Sequence, residues 1–243
     1  MIRRLGWLAA GGFGVGIIAF GLVAALGAHE LPWQQVGRIW WFSSSCPDGT
    51  DANIAPTVTE RHWAWDGGDS VEIAVPGTVH YHRGGGDEVI ARGPAEAIAH
   101  VRVRNGSIGY ACWGRWGQRD LDITLPGRAF RAVTISGSGR LIMQDIDQPS
   151  LDLAISGSGS LRAQGASERV RISIAGAGNA KLAELTMKRL DVNIAGSGDI
   201  EAAPQDALNV DIAGSGNLRL LSDPAQIHTD IKGSGHIIRA SGQ

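Results

Sequence analysis

The sequence predicts an all-β protein: a β-solenoid with about 19 residues per coil, preceded by one N-terminal transmembrane helix. Three observations carry this. Glycine supplies 35 of the 243 residues, about twice its ~7% average usage, which a fold with recurring tight turns accounts for. Gly-x-Gly recurs at Gly137/Gly139, Gly157/Gly159, Gly176/Gly178, Gly196/Gly198, Gly214/Gly216 and Gly233/Gly235, at intervals of 20, 19, 20, 18 and 19 residues. All eight tryptophans precede residue 117, and Phe130 is the only aromatic beyond residue 126. The two halves are therefore built differently.

Residues 1–30 read as a membrane anchor. Leu5 to Ala28 is a run of 24 uncharged residues, about 36 Å long as a helix, enough for a hydrocarbon core of ~30 Å. Arg3 and Arg4 place its N-terminal end in the cytoplasm by the positive-inside rule, and Trp33, Trp40 and Trp41 suit the far interface. The competing reading is a signal peptide cleaved near Ala25-Leu26-Gly27, but an h-region normally spans ~7–15 residues, so length favours a retained anchor. The expected location is a single-pass inner-membrane protein whose C-terminal domain faces the periplasm or the cell exterior.

Residues 31–62 read as a juxtamembrane segment and linker, because Ser43 to Glu60 lacks periodicity and contains Pro47, Gly49 and Pro56. Cys46 and Cys112 form an even pair in an exported chain and are the candidate disulfide. Two unlinked thiols are the alternative, since sequence does not show proximity.

Residues 63–243 read as the β-domain. Val71–Val75, Val79–Tyr81, His100–Arg104 and Leu121–Leu125 alternate apolar and polar residues; Pro76-Gly77 marks a turn and Asn105-Gly106 a two-residue hairpin. In the repeats, Ile135, Ile155, Ile174, Ile194, Ile212 and Ile231 stand two positions before each first glycine. Apolar residues also stand four before, except Thr229, and two after each second glycine. This is a short strand with one buried face, a sharp turn and a second short strand. Coils stacked ~4.8 Å apart place each Ile on the next, and each buried Ile contributes ~1.5–3 kcal/mol. The glycines then form a column at one corner, where the backbone takes positive φ or an approach too close for a Cβ.

These Ile-x-Gly-Ser-Gly units, led by Ile135 to Gly139, together with Trp65-Asp66-Gly67, Val71 to Pro76 and the hairpin Val101 to Ile108, resemble the putative auto-transporter adhesin, head GIN domain family, over about Trp65 to Ile237. The resemblance implies a single-stranded, right-handed β-helix outside the cytoplasm. The family's motifs are structural, so it carries no catalytic residue onto this chain.

Candidate sites have plain structural readings beside the functional ones. The glycines are not a calcium roll, whose period is nine residues, nor a phosphate loop, which ends in Gly-Lys-Ser/Thr. His80 and His82 share one strand face and could offer two nitrogens to a metal, but no third ligand stands at diagnostic spacing. His228 and His236 occur singly and read as surface residues. Asp191, Asp211 and Asp230 fall on outward positions of one lateral face, as acids do in β-helical polysaccharide lyases, yet the pattern sets no Lys or Arg base beside them; a solvated face is favoured. Trp63, Trp65, Trp113, Trp116 and Tyr110 suit either a sugar-stacking platform or a cover for the solenoid's N-terminal end, and the cover is favoured.

Net charge is −2, so no nucleic-acid partner is expected. The glycine and isoleucine columns run through every repeat without a cluster suited to chemistry. The expectation is a membrane-tethered, noncatalytic binding or adhesion module without cofactor or metal, whose partner is an envelope glycan or protein. The alternatives are an envelope carbohydrate-active enzyme with a lateral acidic face, and a structural or regulatory partner of another membrane protein.

Overall fold

The computed structural model describes residues 58–112 and 120–240. Leu5–Ala28, Cys46, Trp113 and Trp116 fall outside them, so the anchor and the Cys46–Cys112 pairing remain expectations. Among the described residues no helix is long and apolar enough to cross a membrane.

The repeats form β8 (Ala132–Gly137), β9 (Arg140–Gly157), β10 (Ser160–Gly176), β11 (Asn179–Gly196), β12 (Asp199–Gly214), β13 (Asn217–Leu220), β14 (Gln226–Gly233) and β15 (His236–Arg239). Neighbours along this stack pair in parallel, and the column of first glycines is in register throughout: Gly137 on Gly157, then Gly176, Gly196, Gly214 and Gly233. Ile135, Ile155, Ile174, Ile194, Ile212 and Ile231 form one ladder on the same pairings. Exposure along that ladder is 0–2% from Ile135 to Ile212. The all-β solenoid is thus present, with the inward columns as its core.

The two demands expected of the glycine column, positive φ and close approach, are both met, and they divide between the glycines of each pair. Positive φ belongs to the first glycine of each pair alone; Gly139, Gly159, Gly178, Gly198, Gly216 and Gly235 do not adopt it, and they lie between strands rather than in the paired ladder. Their constraint is steric. A Cβ on Gly159, Gly178, Gly198, Gly216 or Gly235 would stand 2.5–2.8 Å from Cγ2 of the ladder isoleucine one coil back, which is Ile135, Ile155, Ile174, Ile194 and Ile212 in turn. At Gly139, which has no repeat coil before it, the Val75 carbonyl oxygen takes that place at 2.7 Å. The second glycine is therefore the space into which the previous coil's isoleucine packs, and the two columns depend on each other.

The expectation of two short strands per coil also needs correction. β9, β10 and β11 are continuous strands of 18, 17 and 18 residues, each leaving one Gly-x-Gly turn and running into the next. The second corner is a bend inside the strand. At this bend Asp145 has φ 54° in β9, Gly165 has φ 127° in β10, and the register between the two strands shifts. From β9 to β11 hydrogen bonding carries on around the corner with one local bulge per pair, whereas pairing of β11 with β12 lapses between Leu182 and Met187 and residues 221–225 separate β13 from β14.

Upstream, β2 (Ser70–Ala74) and β3 (Gly77–His82) make a further rung, with Ile73 beside Ile135 and Val79 beside Leu141. The chain then leaves the stack to build β4 (Glu88–Pro94), α1 (Ala95–His100), β5 (Val101–Arg104), β6 (Ser107–Tyr110) and β7 (Leu121–Thr124) before returning at β8. β6 and β7 lie on the far side of β2 and β3, and antiparallel strands finish that end: β5 on β6, β4 on β7, and β1 (Val58–Ala64) on β4. Asn105 and Gly106, both at positive φ, make the predicted hairpin turn between β5 and β6. β1 begins inside the segment read as linker, and His100 belongs to α1 rather than to the strand expected there.

Phe130, 1% exposed, fills the N-terminal end of the core. Its ring meets the Trp65 ring edge-on at 5.4 Å and the Tyr81 ring at 5.7 Å, and the Tyr81 hydroxyl donates to the Arg128 carbonyl at 2.9 Å. Trp63 and Trp65 pack partly buried against the core, the Arg61 guanidinium lies 5.1 Å from the Trp63 ring, and Tyr110 is buried. Burial pushes the Tyr110 hydroxyl up to about 12. Of the residues read as a cover, Trp63, Trp65 and Tyr110 thus pack into this part of the molecule, and Trp113 and Trp116 lie outside the described residues.

Candidate functional site

The strand segments that follow the glycine turns present two outward columns. One contains Arg140, Ser160, Asn179, Asp199, Asn217 and His236; the other contains Ile142, Arg162, Lys181, Glu201, Arg219 and Ile238. Their position follows from the period of two: Leu141, Leu161, Ala180, Ile200 and Leu218 between them are buried, which turns the flanking residues outward. Together the two columns, His236 excepted, line a shallow groove of about 680 Å³. It crosses β9, β10, β11, β12, β13 and β15 at about 4.8 Å per rung, so it extends along the stack for about 24 Å.

Four basic and two acidic side chains line the groove. Arg162 is tied to Glu184, whereas Arg140, Lys181 and Arg219 have no ion pair among the described residues. Asp199 accepts at Oδ1 from Asn217 Nδ2 at 2.9 Å, which fixes its carboxylate along the column. The groove therefore offers three unpaired cations and a row of amide and hydroxyl groups. It can hold an extended polar ligand by charge and hydrogen bonding, one rung after another.

The aspartates picked from the sequence do not form a cluster. Asp191 stands beside Asn209, whose Nδ2 donates to its Oδ1 at 2.7 Å. Asp211 and Asp230 are rung neighbours in the adjacent column, and Lys232 Nζ donates to Asp230 Oδ2 at 2.7 Å. The expectation that no base accompanies these acids is therefore corrected: Lys232 follows Asp230 by two residues on the same strand face. That hydrogen bond, with the added attraction of Asp211, holds the Lys232 ammonium above its usual range. This is an ion-paired solvent face.

His80 and His82 point outward as expected, but each ring turns to its own carboxylate. His80 Nε2 lies 3.6 Å from Asp122 and His82 Nδ1 2.6 Å from Asp145. No group of three or more His, Cys, Asp or Glu side chains gathers among the described residues. His62, which the sequence reading passed over, bridges Glu88 at 2.9 Å and Glu60 at 2.8 Å. Those two hydrogen bonds, Glu88 first, raise its pKa above the ordinary 6.5. Nothing in the composition announces the groove itself, because its residues share a register position and not a residue type. Writing the repeats one above another in strand register would have aligned Arg162, Lys181 and Arg219.

Fold and groove together define a β-solenoid with a polar lateral face. Residues 113–224 match the family model described as putative auto-transporter adhesin, head GIN domain. The match is shorter than the Trp65 to Ile237 span of the sequence reading and leaves out the upstream motifs. No curated protein matches the chain. Among solved structures, a putative adhesin from Bacteroides fragilis NCTC 9343 is similar at 15% identity and TM-score 0.59, over 76% of this chain and 98% of that one. A putative lipid binding protein from Parabacteroides distasonis ATCC 8503 is similar at 16% identity and TM-score 0.50, over 76% and 97%. At such identities the likeness establishes the fold.

Proposed function

We propose that the protein is a membrane-tethered envelope module that binds, without catalysis, an extended glycan chain along the groove of Arg140, Lys181 and Arg219. The observation that carries this is the groove's repeated rung, which offers polar side chains on successive strands and a cation on four of them, Arg140, Arg162, Lys181 and Arg219, interrupted by the acidic β12 rung of Asp199 and Glu201. An extended polymer meets side chains at a regular spacing along such a surface, and the excess of cations, four against two carboxylates, favours one bearing carboxylates or phosphates. The adhesin designation of the matched family supports a binding role. The uncharged run before residue 29 supports tethering, with the groove domain outside the cytoplasm.

The test uses the full chain in detergent on immobilised envelope glycans of graded charge. The wild type binds acidic chains without shortening them, and Lys181→Gln with Arg219→Gln, which puts no like charge beside Glu201, weakens binding several-fold with little change in Tm. Cleavage of a glycan that disappears with Asp211→Asn and Asp230→Asn would replace this reading with the enzyme.

A further inference from the structure

The two ends of the stack differ. At the N-terminal end, β2 and β3 are covered by β6 and β7 and then by antiparallel β5, β4 and β1. At the other end, β14 pairs only with β12, and β15 only with β13, among the described residues. Exposure of the isoleucine ladder jumps there, from 2% at Ile212 to 37% at Ile231. An open edge that continues an apolar ladder is a template for another strand.

The side chains of this last coil depart from the repeat. The position before the first glycine is Ser136, Ser156, Ala175, Ala195 and Ala213 in the earlier coils, and Lys232 here. Asp230 flanks Ile231 on its other side, so the exposed strand reads Asp-Ile-Lys, with both charges outward and Ile231 in the ladder column. We propose that β14 pairs antiparallel with β14 of a second copy of this chain about a two-fold axis at Ile231, giving a closed dimer joined at the C-terminal coils. In that register Asp230 faces Lys232 of the second copy and Lys232 faces its Asp230, while the isoleucines meet in the shared core. Moving the axis by one residue sets Asp230 on Asp230 or Lys232 on Lys232, so like charges reject the neighbouring registers. At the N-terminal end the edge strands are β1 and β5, antiparallel strands that do not continue the isoleucine ladder, so a ladder end meets its like only in another C-terminal coil. The contact joins like surfaces and stops at two copies.

Sedimentation of the full chain in detergent micelles tests this. The wild type sediments as a dimer. Asp230→Lys alone and Lys232→Glu alone each weaken dimerisation by about tenfold or more, since each makes two like-charge contacts across the axis. Mixing these two variants restores dimers composed of one copy of each, and the double variant Asp230→Lys/Lys232→Glu dimerises like the wild type. A monomeric wild type, whether the lysine merely guards the edge or another segment of the same chain covers it, overturns the proposal. So do single variants that dimerise unchanged, which would place the contact elsewhere.

Discussion

Gly196 sits directly on Gly176: a Cβ built on Gly196 would collide with the Gly176 carbonyl oxygen, and the Gly196 backbone holds φ at 135°. Two separate restrictions therefore converge on one residue. Gly137, which opens the column, has φ 106° but nothing within 4 Å of its would-be Cβ. Gly137→Ala should therefore cost only the strained backbone, about 1–3 kcal/mol. Gly196→Ala should cost more, because the rungs must also move apart. Thermal unfolding of the two variants checks this, and equal losses would mean that stacking distance does not constrain the column.

Ile194 is fully buried, with Ile174 and Ile212 as rung neighbours. Ile194→Asp places a carboxylate where no partner exists and should cost several kcal/mol. Arg189, outward on the same strand and stacked against Arg169, is the control: Arg189→Gln relieves a like-charge pair and should leave Tm unchanged or slightly raised. Urea unfolding of both variants gives the comparison, and similar midpoints would contradict the assigned inward face.

The ring of His62 gains from its charged form because Glu88 and Glu60 both accept from it. Its folded pKa is raised, so the stabilisation it contributes is fully present below the unfolded value near 6.5 and is lost as pH rises through the folded pKa. The site is exposed, so the effect on stability is small and is best read at the ring itself. An NMR titration should show His62 titrating above 6.5 and moving downward in Glu88→Gln. A midpoint that ignores Glu88→Gln would remove the first cause assigned to the shift.

The repeat half was legible because close stacking of coils imposes glycine and isoleucine at fixed intervals. Ile135 and Gly137 announce their structural roles by recurrence alone. Recurrence does not say why a glycine recurs, so the separate duties of Gly196, at positive φ, and Gly198, packed under Ile174, emerge only with the coils stacked. The inner corner at Asp145 and Gly165 was not legible, because a bulge within a continuous strand is met by different residues in different coils. The N-terminal cover was partly legible: the Asn105-Gly106 hairpin was plain, but β1 and β4 pair across 24 to 36 residues of chain and show little alternation of their own. Chain order also hid the insertion of the β2 and β3 rung between strands that come later in sequence. Lys181 and Arg219 stayed invisible for a different reason: each is an ordinary surface residue until the register sets them in one column with Arg162.

The most direct test of the groove as the binding surface is photo-crosslinking in intact envelopes. A photoreactive residue replaces Lys181 or Arg219 in the groove, or Arg189 on the later part of β11 as a control, and the adducts are identified by mass spectrometry. Glycan adducts at positions 181 and 219, with none at 189, are the predicted result; adducts equally frequent at all three positions, or none in the groove, would contradict it.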